Sequence, residues 1–134
     1  MSRNFRTLNI WINGISLVKH VYQLAELLPT EEKFGLKSQI CRAAVSVPSN
    51  IAEGSSRNSE MDFKRFLEIA LGSSFELETQ LIIIQELNLI QNEKLNNLYD
   101  CLNKEQKMIN NLISKLKANS QKPTAKSNKE IRQK

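Results

Sequence analysis

The chain has 134 residues, enough for one domain and too few for two ordinary ones, with 40% apolar and 25% charged residues, a globular balance and not a disordered one. Only 4 Gly and 3 Pro are present, which starves turns and favours long helices. The formal charge of +5 is uneven: residues 1–118 carry 14 Lys and Arg against 13 Asp and Glu, whereas residues 119–134 carry 5 against 1. Two cysteines, Cys41 and Cys101, make no disulfide framework and no CxxC pair, so a reduced, cytoplasmic setting is expected. The start MSRNFRTLNIW has no continuous apolar core and no small-residue cleavage site, which argues against secretion. No apolar run approaches the roughly 18–20 residues that span a bilayer, so no membrane partner is expected.

A first helix is predicted from about Leu8 to Leu28, with Leu8, Trp11, Ile15, Val18, Tyr22 and Ala25 three and four residues apart as its buried stripe. Pro29 ends it. Thr30, Glu31 and Glu32 suit a new helix start, though Gly35 postpones the regular helix to Leu36. The second helix, from about Leu36 to Ala52, has Leu36, Ile40, Ala43, Val47 and Ile51 as its stripe and a kink expected at Pro48. Gly54 is the predicted left-handed terminator. Ser59 caps a long third helix, with Glu60 and Asp62 in its first turn. Phe63, Leu67, Ala70, Ser74, Leu77, Leu81, Ile84 and Asn88 form its stripe. After a turn at Asn92 and Glu93, a fourth helix shows Leu95, Leu98, Leu102, Ile109, Leu112 and Leu116, with Glu105 at the position where the spacing calls for another apolar residue. Residues 119–134 have no apolar period and read as a flexible basic tail after a bundle domain of residues 1–118. Four helices joined by short connections give an all-α fold, an antiparallel up-down four-helix bundle.

Two helices are apolar beyond one stripe. Cys41, Ala44, Val45, Pro48 and Ala52 widen the arc of the second, and Gly72, Thr79, Ile83 and Ile90 lie roughly opposite the stripe of the third. A second apolar face predicts self-association into a closed homo-oligomer. One loosely wrapped core, its wheel shifted by Pro48, is the alternative.

Catalytic equipment is sparse. His20 has no acid at i+3 or i+4, and Cys41 lies on an apolar arc as a small packed hydrophobe. Cys101 follows Asp100, which raises a thiol pKa, the wrong direction for a nucleophile. Glu68, Glu76 and Glu78 do not form a bridged carboxylate pair with histidine, and no glycine-rich phosphate loop occurs. The chain is therefore expected to be no enzyme and to hold no cofactor or metal. Two polar groups remain. Gln39, Arg42, Ser46, Asn50 and Glu53, followed by Arg57, form one side of the second helix, expected as a hydrogen-bonded network that fixes register. An anion site is the alternative. Arg57, Lys64 and Arg65 surround the start of the third helix, where free N–H groups attract phosphate but Glu60 and Asp62 oppose it.

The run Glu32-Lys33-Phe34-Gly35-Leu36, then residues 39–54 from Gln39 through Asn50-Ile51-Ala52-Glu53-Gly54, resembles the signature of four-helix bundle proteins related to 23S rRNA intervening-sequence proteins. Asp62-Phe63, Arg65-Phe66-Leu67, Ile69-Ala70, Gly72-Ser73 and Glu76-Leu77-Glu78 match the third-helix pattern, so the likeness covers about residues 5–118. Many members have a second basic residue where Cys41 stands here. The resemblance implies a barrel-like homopentamer. It also implies a relation to the accessory variability determinant of diversity-generating retroelements, which binds a reverse transcriptase and nucleic acid. The resulting expectation is a non-enzymatic, homo-oligomeric nucleic-acid-binding or reverse-transcriptase accessory protein; the rival is a structural scaffold with no nucleic-acid role. Candidate DNA or RNA contacts are Lys33, Lys37, Arg57, Lys64, Arg65, Lys122, Lys126, Lys129 and Arg132. Candidate interface or structural positions are Gln39, Arg42, Ser46, Asn50, Glu53, Gly54, Gly72, Ile83 and Ile90.

Overall fold

A computed structural model describes residues 3–32 and 34–121. Four α-helices carry the fold: α1 (Asn9–Ala25), α2 (Leu36–Ser55), α3 (Glu60–Glu86) and α4 (Asn92–Gln121), with 3-10 turns at Phe5–Thr7 and Thr30–Glu32. No strand occurs among the described residues. Consecutive helices pack side by side and α1 closes against α4, while the diagonal pairs make no close backbone approach. No described helix is long and apolar enough to cross a membrane.

The helix boundaries follow local chemistry. After Ala25 the chain tightens, with Leu27 N bonding the Leu24 carbonyl at 2.9 Å and Leu28 N the Ala25 carbonyl at 3.1 Å, before Pro29 stops it. Thr30 opens a 3-10 turn and not α2, which begins at Leu36. Ser59 caps α3 as the sequence predicts, its hydroxyl accepting from Asp62 N at 3.1 Å.

Gly54 is not a left-handed terminator. It lies inside α2, no glycine has positive φ, and α2 runs on to Ser55. The glycine is needed for space: a Cβ there would stand 2.5 Å from Phe66 Cβ and 3.2 Å from Phe63 Cδ1. Among the described residues it is Asn88 that turns left-handed, φ 54°, in the turn after α3. It is exposed, so the α3 stripe runs from Phe63 to Ile84 and stops short of Asn88. Beyond it the chain folds back, and Ile90 is buried in the core. Ile90 is therefore no part of an outward face of α3.

The buried stripe of α1 is also not the expected one. Ile10, Gly14, Leu17, Val21, Leu24 and Ala25 face inward. Trp11, Ile15 and Val18 are half-buried and Tyr22 is exposed. Two apolar stripes run side by side on this helix, and the inward one is interrupted by a glycine.

The core has two parts. Leu17, Val21, Leu24, Ile40, Ala43, Ala44, Leu77, Leu81, Ile84, Leu95, Leu98 and Leu102 belong to one cluster. Ile10, Val47, Ile51, Phe63, Leu67, Ala70, Ile109 and Leu116 belong to the other. Each fully buried Leu, Ile or Phe contributes on the order of 1.5–3 kcal/mol. Between the clusters stand Gly14 on α1, Ser74 on α3 and Glu105 on α4, all buried, while on α2 the change falls between Ala44 and Val47, beside the buried Pro48. A thin polar layer thus crosses an apolar interior.

Candidate nucleic-acid interface

The amino-terminal segment, the α2–α3 turn and the carboxyl half of α4 meet at one end of the molecule, since Ile10, Phe63 and Leu116 share a cluster. Arg3 Nη1 donates to the Arg57 carbonyl at 3.3 Å, and its guanidinium lies 4.3 Å from the Phe63 ring centroid. Arg57 lies over Phe66 at 4.6 Å and Arg6 over Phe5 at 4.8 Å. A guanidinium over a ring face is attracted to the π electrons and carries several N–H donors on a planar group, a combination lysine does not supply. Three carboxylates partner the basic residues here: Arg57 with Glu53 at 3.4 Å, Lys64 with Glu68 at 3.4 Å and Arg65 with Asp62 at 3.3 Å. Local pairs of this kind, whose carboxylates are about half exposed, are worth about 0–1 kcal/mol.

The candidate cations do not all gather. Arg57, Lys64 and Arg65 cluster at this end. Lys37 stands at the other end of α2, about 30 Å along the helix axis, paired with Glu26 at 3.4 Å. Lys33, Lys122, Lys126, Lys129 and Arg132 lie outside the described residues. The opposite end is richer in acid, with Glu26, Glu31, Glu32, Glu86 and Glu93 on or beside its turns. Sequence patterning missed Arg3 and Arg6. Arg3 is placed by tertiary contacts with Arg57 and Phe63, 54 and more residues away, whereas Arg6 lies over the adjacent Phe5, the only local hint.

The polar side of α2 divides into separate contacts. Ser46 Oγ and Ser73 Oγ lie 2.8 Å apart, and Asn50 Nδ2 donates to the Ser46 carbonyl at 2.8 Å. Gln80 Nε2 donates to Gln39 Oε1 at 3.4 Å. The Ser46–Ser73 and Gln80–Gln39 contacts join α2 to α3, whereas the Asn50 bond stays within α2. Glu53 turns instead to Arg57. Arg42 joins none of these contacts: it is exposed on the single chain, beside a groove of about 520 Å³ lined also by Tyr22, Lys37, Cys41 and Val45. In the single chain this guanidinium is exposed because at position 42 α2 faces neither neighbouring helix.

Two surfaces each gather several apolar side chains. One is a groove between α1 and α2, where Trp11, Ile15, Val18, Val45, Pro48 and Ala52 enclose about 260 Å³. The other is the back of α3, with Ile69, Phe75, Ile82 and Ile83 all 41–48% exposed. Gly72 lies between them, with nothing within 4 Å of a Cβ built there. The widened arc of α2 therefore opens beside α1.

Neither cysteine is arranged as a nucleophile. Burial is the main cause that raises both thiols; Glu105 adds to the effect at Cys101, and Ser16 opposes it with a hydrogen bond. His20 Nδ1 lies 2.8 Å from the Ser16 carbonyl one turn back, a local helix contact. Among the described residues no three His, Cys, Asp or Glu come together as a metal site would require.

In comparisons with known proteins, no curated protein matches the chain. A solved structure from Bacteroides thetaiotaomicron, described as a protein of unknown function from the S23 ribosomal protein family, is similar with a TM-score of 0.72 and 25% identity, covering 78% of this chain and 97% of that one. Residues 6–111 match the family described as 23S rRNA-intervening sequence protein. That span runs from the first turn through the helices that build the basic end and includes the Asn50–Gly54 run packed on Phe63 and Phe66; the chain belongs to the 23S rRNA-intervening sequence protein family.

Proposed function

We propose that this protein is a non-catalytic, homo-oligomeric bundle that binds nucleic acid through its basic end. The observation that carries this reading is the meeting of Arg3, Arg6, Arg57, Lys64 and Arg65 where α4 delivers the chain to residues 122–134, which add Lys122, Lys126, Lys129, Arg132 and Lys134. Cations on a body and on the segment that follows it act together through high effective concentration. The family description, which refers to 23S rRNA intervening sequences, agrees with a nucleic-acid ligand. Phe63 and Phe66 lie beneath arginines and offer no open stacking platform, so the expected recognition is of phosphate and not of bases.

Up-down alternation of the helices is part of the proposal. It accounts for Ile10 sharing a cluster with Leu116 and Leu24 sharing one with Leu98. Self-association rests on the two unlike apolar regions. A groove on α1–α2 and a ridge on α3 suit a head-to-tail contact, which closes into a ring when the rotation permits; the number five is what the family resemblance implies. A cytoplasmic location and a reverse transcriptase as protein partner are further expectations; fractionation of cells and co-purification test them.

The test is a salt titration of binding to duplex DNA and to structured RNA, with the full chain and with a chain ending at Lys117. Log affinity is expected to fall linearly with log salt for both ligands. The shorter chain binds more weakly with a flatter slope, and R57E with R65E weakens what remains. A scaffold without nucleic-acid role is the second reading, favoured by the carboxylates that pair with Arg57, Lys64 and Arg65. It stands if the full chain binds neither polymer at low salt.

A further inference from the structure

Glu105 occupies a position in α4 where the spacing calls for an apolar residue, and its side chain is fully buried. Oε1 accepts from Asn13 Nδ2 at 3.0 Å, while Oε2 has no hydrogen-bond partner. The Asn13 amide is shared, since it also donates to the Cys101 carbonyl at 3.2 Å. Gly14 leaves room for the carboxyl: a Cβ there would stand 3.0 Å from Oε2 and 3.3 Å from Pro48 Cβ. Substituents from three helices therefore converge on one small space.

The surroundings are almost free of charge. From α1 come Asn13 and Gly14, and from α2 the Pro48 ring. At this level α3 presents Ser74, whose hydroxyl is committed to the Leu71 carbonyl at 2.6 Å. One turn on, Glu78 of α3 accepts from Gln106 Nε2 at 2.9 Å. The titratable groups that act on the site or share it are on α4 itself, the exposed Lys104 and the thiol of Cys101. No ion pair of the described residues includes Glu105. An ionised carboxylate with one shared neutral donor and one bare oxygen is strongly disfavoured in such a place. A neutral acid is not, and it brings an O–H donor. Pro48 has no N–H to offer the Ala44 carbonyl one turn back, so α2 has a backbone acceptor to spare beside this layer.

We propose that Glu105 is a proton-binding site of the bundle, kept as the neutral acid while α1, α2 and α4 are packed around it, so that opening the bundle releases a proton. Burial raises its carboxyl to about 7 from the usual 4.5, and the Asn13 bond and Lys104 oppose that only in part. The residue thus couples helix packing to pH in the range where cells operate, independently of any nucleic acid.

The experiment is a carboxyl-carbon NMR titration of the full chain, with urea unfolding of wild type and E105Q over the same pH range. E105Q keeps the shape and a donor but cannot ionise. One glutamate resonance is expected to titrate near neutrality and to be absent from E105Q. The ratio of unfolding constants, wild type over variant, grows roughly 70-fold from pH 5 to pH 8. If E105Q does not fold, assignment of the resonance through the Glu105 backbone in wild type decides the matter. Glutamates that all titrate in the acid range, or a stability ratio that stays constant with pH, overturn the proposal.

Discussion

Gly54 and Phe66 approach so closely that a single methyl on the glycine would fall 2.5 Å from the Phe66 Cβ. That atom is fixed to the α3 backbone, so it cannot swing away as a side-chain tip would. G54A is therefore expected to push α2 from α3. Alanine would gain about 1 kcal/mol of helix propensity, but overpacking costs about 1–3 kcal/mol and more where backbone must move. A net loss of about 1–2 kcal/mol in urea unfolding is the expected outcome. A variant that is more stable than wild type would show that the two helices separate freely.

The back of α3 supplies a second prediction. Ile83 is 41% exposed on the single chain, so I83D leaves that chain's own fold largely intact. In an assembly that buries this face, the carboxylate lacks a partner and the penalty is several kcal/mol. Light scattering at micromolar concentration should give a closed oligomer for wild type and a smaller species for I83D, with unchanged helix content by circular dichroism. A monomeric wild type would remove the basis for self-association.

Arg42 separates folding from assembly. Exposed and without an ion pair among the described residues, it is expected on truncation to alanine to change the stability of the single chain by no more than about 0.5 kcal/mol. Its place beside the groove lined by Tyr22 and Val45 puts any effect on oligomer size. Unfolding midpoints and light scattering, measured together on R42A, check both statements.

The pH profile has a definite sign. Glu105 binds its proton more tightly folded, about 7, than at the usual carboxylate value of 4.5. Below 4.5 both states hold the proton and the site contributes no penalty. As pH rises from 4.5 through 7, stability is lost, by about 3 kcal/mol in all, and it levels off above. Thermal midpoints across pH 5–8 measure the decline, and E105Q removes it.

Much of this fold is legible in residue spacing. The α3 stripe from Phe63 to Ile84 and the Ser59 cap stand where periodicity and capping chemistry place them. So does the α4 stripe, with Leu112 half-buried. The α1 register was not legible because the inward stripe spends one position on Gly14, whereas the outward one carries Trp11, Ile15, Val18 and Tyr22 and looks stronger. The glycine makes room for the Glu105 carboxyl, a partner 91 positions away that local pattern does not reveal. Gly54 misleads for the same reason: near a helix end a glycine suggests a left-handed turn, and only the position of Phe66 shows that the need is for space. At the basic end, Arg57, Lys64 and Arg65 are visible as a local cluster. Arg3 joins them only through folding.

The division of the interior has a mechanical consequence. Above and below the Gly14 level, interlocked branched side chains resist sliding of one helix on another. At that level α1 has no side chain to interlock, α2 presents a smooth ring, α3 a small hydroxyl and α4 a single carboxyl. Resistance to shear is lowest there. Each helix nevertheless runs unbroken through this level, so the two apolar blocks stay joined by four continuous rods, and the layer loosens the interlock between helices without uncoupling the blocks.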